Sequence, residues 1–230
     1  MGNRFPVGAK GHADAADQRH PRNHMPAFLI ADVRIINREK YNDYRLKFRA
    51  CVARHGGRFL ARGQEPEIIL GGWHPPRMLL VEFASGQAAQ AMMDSQEYHE
   101  LELVRANCAM FDIVIVEGAA ASTFARAGAA PAFAIADARI VNQGAFDVYR
   151  ASLDAAVGSS GGRFLAQTDD IRTVAGNWAP SFIAILEFPD RSSAAAAWAV
   201  PAYQAARDAA SNAAMIDMVL LTGAGADAPD

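Results

Sequence analysis

The chain has 230 residues, 51% of them apolar, and a formal net charge of −3. That apolar content suffices for two small buried cores. No basic stripe marks a nucleic-acid partner, and no apolar run approaches the ~18 residues of a membrane span. Residues 1–25 carry almost no apolar content and lack the apolar core of a secretory signal. They read as a flexible, solvated extension, with His12, His20 and His24 part of it. Cys51 and Cys108 fit no metal-ligand spacing. They read as small buried residues of a reducing, cytoplasmic compartment, with a disulfide between them as the alternative.

Residues 28–35 are β-branched and aromatic and predict a strand. Its alternation puts Phe28, Ile30, Asp32 and Arg34 on one face and Leu29, Ala31, Val33 and Ile35 on the other. Asn37 is a plausible N-cap for a helix over 38–55, whose Tyr41, Tyr44, Phe48, Cys51 and Val52 recur at helical spacing. Gly56-Gly57 ends that helix. A second strand covers 58–62, with 68–71 as its continuation. Pro75-Pro76 marks a turn, and 78–83 is the third strand. A helix over 86–107, broken near Ser95, leads to a fourth strand over 111–116. The order is β-α-β-β-α-β, the ferredoxin-like unit.

The segment Gly56-Gly57-Arg58-Phe59-Leu60-Ala61 returns letter for letter as Gly161-Gly162-Arg163-Phe164-Leu165-Ala166, a shift of 105 positions (161 − 56). The same shift aligns Tyr44-Arg45 with Tyr149-Arg150, Trp73 with Trp178, and Glu82-Phe83 with Glu187-Phe188 without a gap. A gene duplication accounts for that register. The second unit repeats the pattern, with strands over 133–141, 163–167, 183–188 and 215–221 and helices over 144–157 and 192–210. The units are 26–118 and 131–223. The Ala/Gly/Ser-rich stretch 119–130 is the linker, mobile or a short helix, and 224–230 is a tail.

Both halves resemble the bacterial domain-of-unknown-function family 1330, within the dimeric α/β-barrel superfamily. In the first half the resemblance rests on Tyr41-x-x-Tyr44, Gly56 to Leu60, Gly71-x-Trp73, Pro76-Arg77, Glu82-Phe83, Ser95-x-x-Tyr98, Arg105 and Val116-Glu117-Gly118. Leu70 and Ala175 stand where the family often has an acidic residue, and Asn37 replaces another. The resemblance implies an α+β fold, with two tandem ferredoxin-like units packed as an intramolecular dimeric α/β barrel. It also implies ligands held within a single unit, between sheet and helices or loops. It supplies little chemistry.

Polar residues kept in both halves, such as Asp32/Asp137, Arg58/Arg163, Glu82/Glu187 and Asp112/Asp217, read as structural, because both copies must fold and dock. Residues of the first half alone, including His74, Arg77 and Arg105, are better site candidates, since one working pocket is enough. Glu82 alternates with Leu80 and Met78 on an apolar strand. It either pairs with Arg58 or Arg105, or serves as a general base in an apolar pocket. His74, in a loop, is the second catalytic candidate. Arg58, Arg77 and Arg105, with Tyr44 and Tyr98, are the ligand-binding candidates; the arginines suit a carboxylate or phosphate. No metal cluster, phosphate loop or nucleophile triad is present in the sequence, so no cofactor and no metal are expected.

The leading reading is a small-molecule-binding protein, with a cofactor-independent enzyme acting on a small organic acid or aromatic compound as its extension. The rivals are a non-catalytic ligand-binding or sensing module, and a structural assembly domain with closed pockets. The expected partner is a small organic ligand, with neither nucleic acid nor membrane. Beyond the intramolecular pseudo-dimer, a further homodimer stays open.

Overall fold

The computed structural model describes residues 25–124 and 130–224. The extension before residue 25, residues 125–129 and the tail from 225 lie outside the described residues. The first copy runs β1 (Ala27–Ile35), α1 (Arg38–Arg54), β2 (Arg58–Gln64), β3 (Glu67–Leu70), β4 (Arg77–Phe83), α2 (Gly86–Met93), α3 (Gln96–Arg105) and β5 (Ala109–Glu117). The second runs β6 (Ala132–Ile140), α4 (Gln143–Ser159), β7 (Arg163–Thr168), β8 (Ile171–Ala175), β9 (Phe182–Phe188), α5 (Arg191–Trp198), α6 (Pro201–Ala209) and β10 (Ala214–Thr222). No helix among the described residues is long and apolar enough to cross a membrane.

The strands form two five-stranded antiparallel sheets, ordered β2-β4-β1-β5-β8 and β3-β10-β6-β9-β7. Each copy therefore lends a strand to the other. β3 of the first copy pairs with β10, and β8 of the second pairs with β5. This corrects the reading of 68–71 as a continuation of the second strand. The chain corners at Glu65, whose φ is +48°, and Pro66, which has no N–H for a ladder, follows it. β8 was not predicted, because its Ile-Arg-Thr-Val-Ala sequence is a short, half-exposed edge strand with little periodicity.

Alternation along the strands builds three cores. Leu29, Ala31 and Val33 of β1 face α1–α3 with Tyr44, Phe48 and Leu101. Their counterparts Ala134, Ala136 and Ala138 of β6 face α4–α6 with Phe146, Tyr149 and Tyr203. Phe28 and Ile30 point the other way and meet Phe133, Ile135, Ile183 and Leu221 between the sheets. The sheets thus face one another within one chain. Seams close them where the Ala224 N–H donates to the Leu60 carbonyl at 2.8 Å and the Ala119 N–H to the Leu165 carbonyl at 2.8 Å.

The repeated hexapeptide has a position-by-position cause. Gly56 and Gly161 end α1 and α4 at φ of +70° and +72°. Gly57 and Gly162 let the chain pass Phe83 and Phe188: an added Cβ would lie 2.7 Å from Phe83 Cε1 and 2.5 Å from Phe188 Cδ1. The register of β2 slips between Phe59 and Ala61, as β7 does between Phe164 and Ala166. This bulge explains how two consecutive residues, Leu60 and Ala61, both reach the inter-sheet core.

Asn37 caps α1 as expected, accepting the Lys40 N–H at 3.0 Å. The break near Ser95 is also present, with Ser95 Oγ capping α3 through the Tyr98 N–H at 3.2 Å. The helix read over 192–210 breaks at the equivalent place, because Val200 stands there as an extended N-cap and Pro201 opens α6.

Candidate functional site

In the first copy, β4, β5, α1 and α3 converge on one cluster beneath the helices. Tyr41 and Tyr44 lie three apart on the inward face of α1, and Tyr98 and Arg105 lie seven apart on α3. Arg105 Nη1 donates to Tyr98 Oη at 2.9 Å, and Arg105 Nη2 meets Glu102 Oε1 at 3.1 Å. Its guanidinium carbon lies 5.5 Å from the Phe111 ring centre and 5.9 Å from that of Tyr98. Arg77, at the start of β4, is only 8% exposed and lies 5.8 Å from the Tyr41 ring centre. Tyr44 packs edge-on to Phe111 at 5.4 Å, which joins the two arginines through a continuous aromatic wall. Burial pushes the Tyr44 hydroxyl far above the usual phenol range, and that of Tyr98 upward too, so both remain proton donors at neutral pH.

Four of the predicted ligand-binding residues, Tyr44, Tyr98, Arg77 and Arg105, therefore meet. Arg58 and Glu82 do not join them. They sit on the opposite face of the sheet, paired at 2.7 Å, with the Ser122 N–H donating to Glu82 Oε1 at 2.7 Å. The second copy repeats the pair: Arg163 Nε meets Glu187 Oε2 at 2.9 Å. Glu187 also accepts from Ser122 Oγ, from the Thr123 N–H at 3.1 Å and from the Phe124 N–H at 3.2 Å. Residues 119–124 are thus neither a helix nor a free tether. They cross one barrel end and bind both buried carboxylates. His74 is exposed, in the loop between β3 and β4, and meets neither group.

At the other barrel end, the Trp73 Nε1–H donates to Asp32 Oδ2 at 3.1 Å and the Trp178 Nε1–H to Asp137 Oδ2 at 2.6 Å. The two indoles lie 5.0 Å apart, tilted by 38°. Asp217 Oδ1 accepts the Gly72 and Trp73 N–H groups at 2.7 and 3.0 Å, and Asp112 Oδ1 those of Asn177 and Trp178 at 2.6 and 3.1 Å. Each copy so anchors the loop after the strand it borrows. Desolvation pushes the pKa of Asp32 and of Asp137 above the ordinary carboxylate value.

Cys51, His55 and Glu97 bring three donor atoms within 4.8 Å of one another, again in the first copy only. Protein groups already engage them: Arg54 holds both Glu97 oxygens, and His55 Nδ1 lies 2.9 Å from the Cys51 carbonyl oxygen. Cys51 and Cys108 are buried and free, so no disulfide joins them.

The sequence profile of a domain of unknown function, DUF1330, matches residues 26–119 and again residues 131–224. The chain belongs to the DUF1330 family. No curated protein matches it. Among solved structures it is similar to a candidate monooxygenase from Fusobacterium nucleatum subsp. nucleatum, at TM-score 0.52 and 9% identity over 86% of this chain and 92% of that one. It is also similar to an anthrone oxidase-like protein, at TM-score 0.50 and 12% identity over 87% of this chain and 92% of that one. At these identities the likeness speaks for the dimeric α/β-barrel fold alone.

The two DUF1330 copies differ under their helices. Phe182 stands in place of Arg77 and packs edge-on to Phe146 at 5.3 Å. Ala210 stands in place of Arg105, and Tyr149 and Tyr203 turn their hydroxyls to one another at 3.4 Å. What the first copy fills with two cations, the second fills with apolar side chains and a tyrosine pair. Two features lay outside the sequence reading. The linker's grip on Glu82 and Glu187 had no signal, since Ala, Gly and Ser carry no pattern. The Asp–Trp bonds had one: Asp32/Asp137 and Trp73/Trp178 recur in register, although nothing in the sequence pairs them.

Proposed function

We propose that this DUF1330 protein binds a small organic anion, a carboxylate on an aromatic or apolar body, beneath the helices of its first copy. The supporting observation is Arg77. Its guanidinium is nine-tenths buried among aromatic rings, its Nε has no hydrogen-bond partner, and no carboxylate is paired with it among the described residues. A buried cation left without a counter-ion is costly. A ligand carboxylate would relieve that cost, with Arg105 and the Tyr44 hydroxyl as further donors and Tyr41 and Phe111 as the wall for its apolar body. Arg58 and Glu82 take a structural part in this reading. With Glu82 across the sheet and His74 in an exposed loop, the cluster is a binding site, and turnover is not part of the proposal.

A titration of benzoate and salicylate into the full chain, followed by calorimetry and by melting temperature, tests this. Bound ligand should raise the melting temperature by mass action. Arg105→Ala should weaken binding roughly ten-fold or more, because one charge-assisted hydrogen bond contributes ~1.5–3 kcal/mol. Tyr203→Phe, in the second copy, should change it less than two-fold. Equal loss in both variants, or no binding by any aromatic or aliphatic carboxylate, would sink the reading.

A further inference from the structure

A cavity lies away from the arginine cluster, where the copies meet. It is an open cleft of about 560 Å³ lined by Gly71, Trp73, Asp137, Arg139, Trp178 and Asp217, among others. The loop after β3 comes from the first copy and the strand residues from the second, so neither copy could form it alone. The size suits a small organic molecule.

Its polar groups are unevenly satisfied. Asp217 spends Oδ1 on two backbone N–H groups. Asp137 is only 4% exposed and spends Oδ2 on the Trp178 indole, while its Oδ1 is buried without any hydrogen-bond partner. A buried carboxyl oxygen normally has a donor, so the orphaned Oδ1 identifies what an occupant must bring. Arg139 stands exposed on the same strand. Its charge favours the Asp137 carboxylate and that of Asp217 opposes it, so the three together leave the cleft one negative charge in excess. The walls are two indoles in contact, whose faces attract cations.

We propose that this cleft binds a small organic amine as its ammonium ion, with an N–H donating to Asp137 Oδ1 and the carbon body resting on Trp73 and Trp178. The copies differ here too. Asp32, the counterpart of Asp137, is more exposed, and neither of its oxygens is a buried orphan. The amine site is therefore assigned to Asp137 and not to both aspartates.

Benzylamine, benzyl alcohol and benzyltrimethylammonium serve as probes of one shape and different charge or donor content, titrated calorimetrically into the full chain at neutral pH. Benzylamine should bind, and benzyl alcohol at least ten-fold more weakly. Benzyltrimethylammonium, which has the charge and no N–H, should fall between them. Asp137→Asn should bring benzylamine down to the level of the alcohol, whereas Asp32→Asn should keep it within two-fold of the parent. If Asp137→Asn does not fold, Arg139→Ala, at an exposed position, decides the matter by binding benzylamine several-fold more tightly. Alcohol and amine binding alike, undiminished binding by Asp137→Asn, no change in Arg139→Ala, or no binding of benzylamine at all would each overturn the assignment.

Discussion

Replacing Gly71 or Gly176 by alanine should cost about 3–5 kcal/mol and lower the melting temperature by roughly 10 °C, at ~2–4 °C per kcal/mol for a chain of this size. Both glycines have positive φ, +83° and +80°, which an alanine adopts only with strain. A Cβ on Gly71 would also lie 2.1 Å from Asp217 Oδ1 and 2.6 Å from the Ile216 carbonyl oxygen; on Gly176 it would lie 2.1 Å from Asp112 Oδ1 and 2.6 Å from the Phe111 carbonyl oxygen. The carbonyl belongs to the strand that receives the borrowed neighbour, so relief requires the loop to lift away. That breaks the two N–H bonds to the aspartate. Gly72→Ala is the control one residue along, where a Cβ meets nothing within 4 Å and φ is not positive. It should change stability by less than ~0.5 kcal/mol. Thermal unfolding followed by circular dichroism decides it; equal behaviour of Gly71→Ala and Gly72→Ala would refute the account.

Arg163→Ala should be comparably damaging, at about 3–5 kcal/mol, because it strips the cation from a carboxylate that has no exposure at all. Glu187 keeps its bonds from Ser122, Thr123 and Phe124, but those donors are neutral and cannot replace a guanidinium. The double variant Arg163→Ala with Glu187→Gln should recover a large part of the loss. It removes the orphaned charge while leaving an acceptor for the linker. Chemical denaturation of the single and double variants measures this. If the double variant is no more stable than Arg163→Ala, the cost lies in lost packing and not in the stranded charge.

Much of this architecture was legible in the sequence because local rules and the repeat agreed. The alternation in β1 placed Phe28 and Ile30 opposite Leu29 and Ala31, and Asn37 and the paired glycines marked the ends of α1. The partner of Glu82 was narrowed to Arg58 or Arg105 and no further. Choosing between them depends on which face of β4 each residue meets, and only the register of β2 against β4 settles that, by placing Arg58 opposite Glu82. The exchange of β3 and β8 was hidden for a related reason. A hydrophobic pattern tells a segment that it needs a sheet edge, not whose edge it is. The candidate cluster was legible as a set of residues unique to the first copy. Its coherence came from α3 turning Tyr98 and Arg105 inward together, which helical spacing alone allowed but did not require.

The loan of β8 has a consequence for how the protein is made. On the ribosome, the first copy emerges with β5 complete at residue 117, yet the neighbour that covers the outer edge of β5 ends only at residue 175. At ~5–20 residues per second, that edge stays bare for roughly 3–12 s of synthesis. The apolar barrel face made by Phe28, Ile30 and Val114 also waits for the second sheet. A nascent chain halted after β5 has left the ribosome and before β8 has should therefore be captured by holdase chaperones, and the released full chain should not. No capture of the halted chain would mean that the first copy protects itself by other means. Joining the copies in one polypeptide keeps the second half close at hand, and it makes the first half a client until that second half arrives.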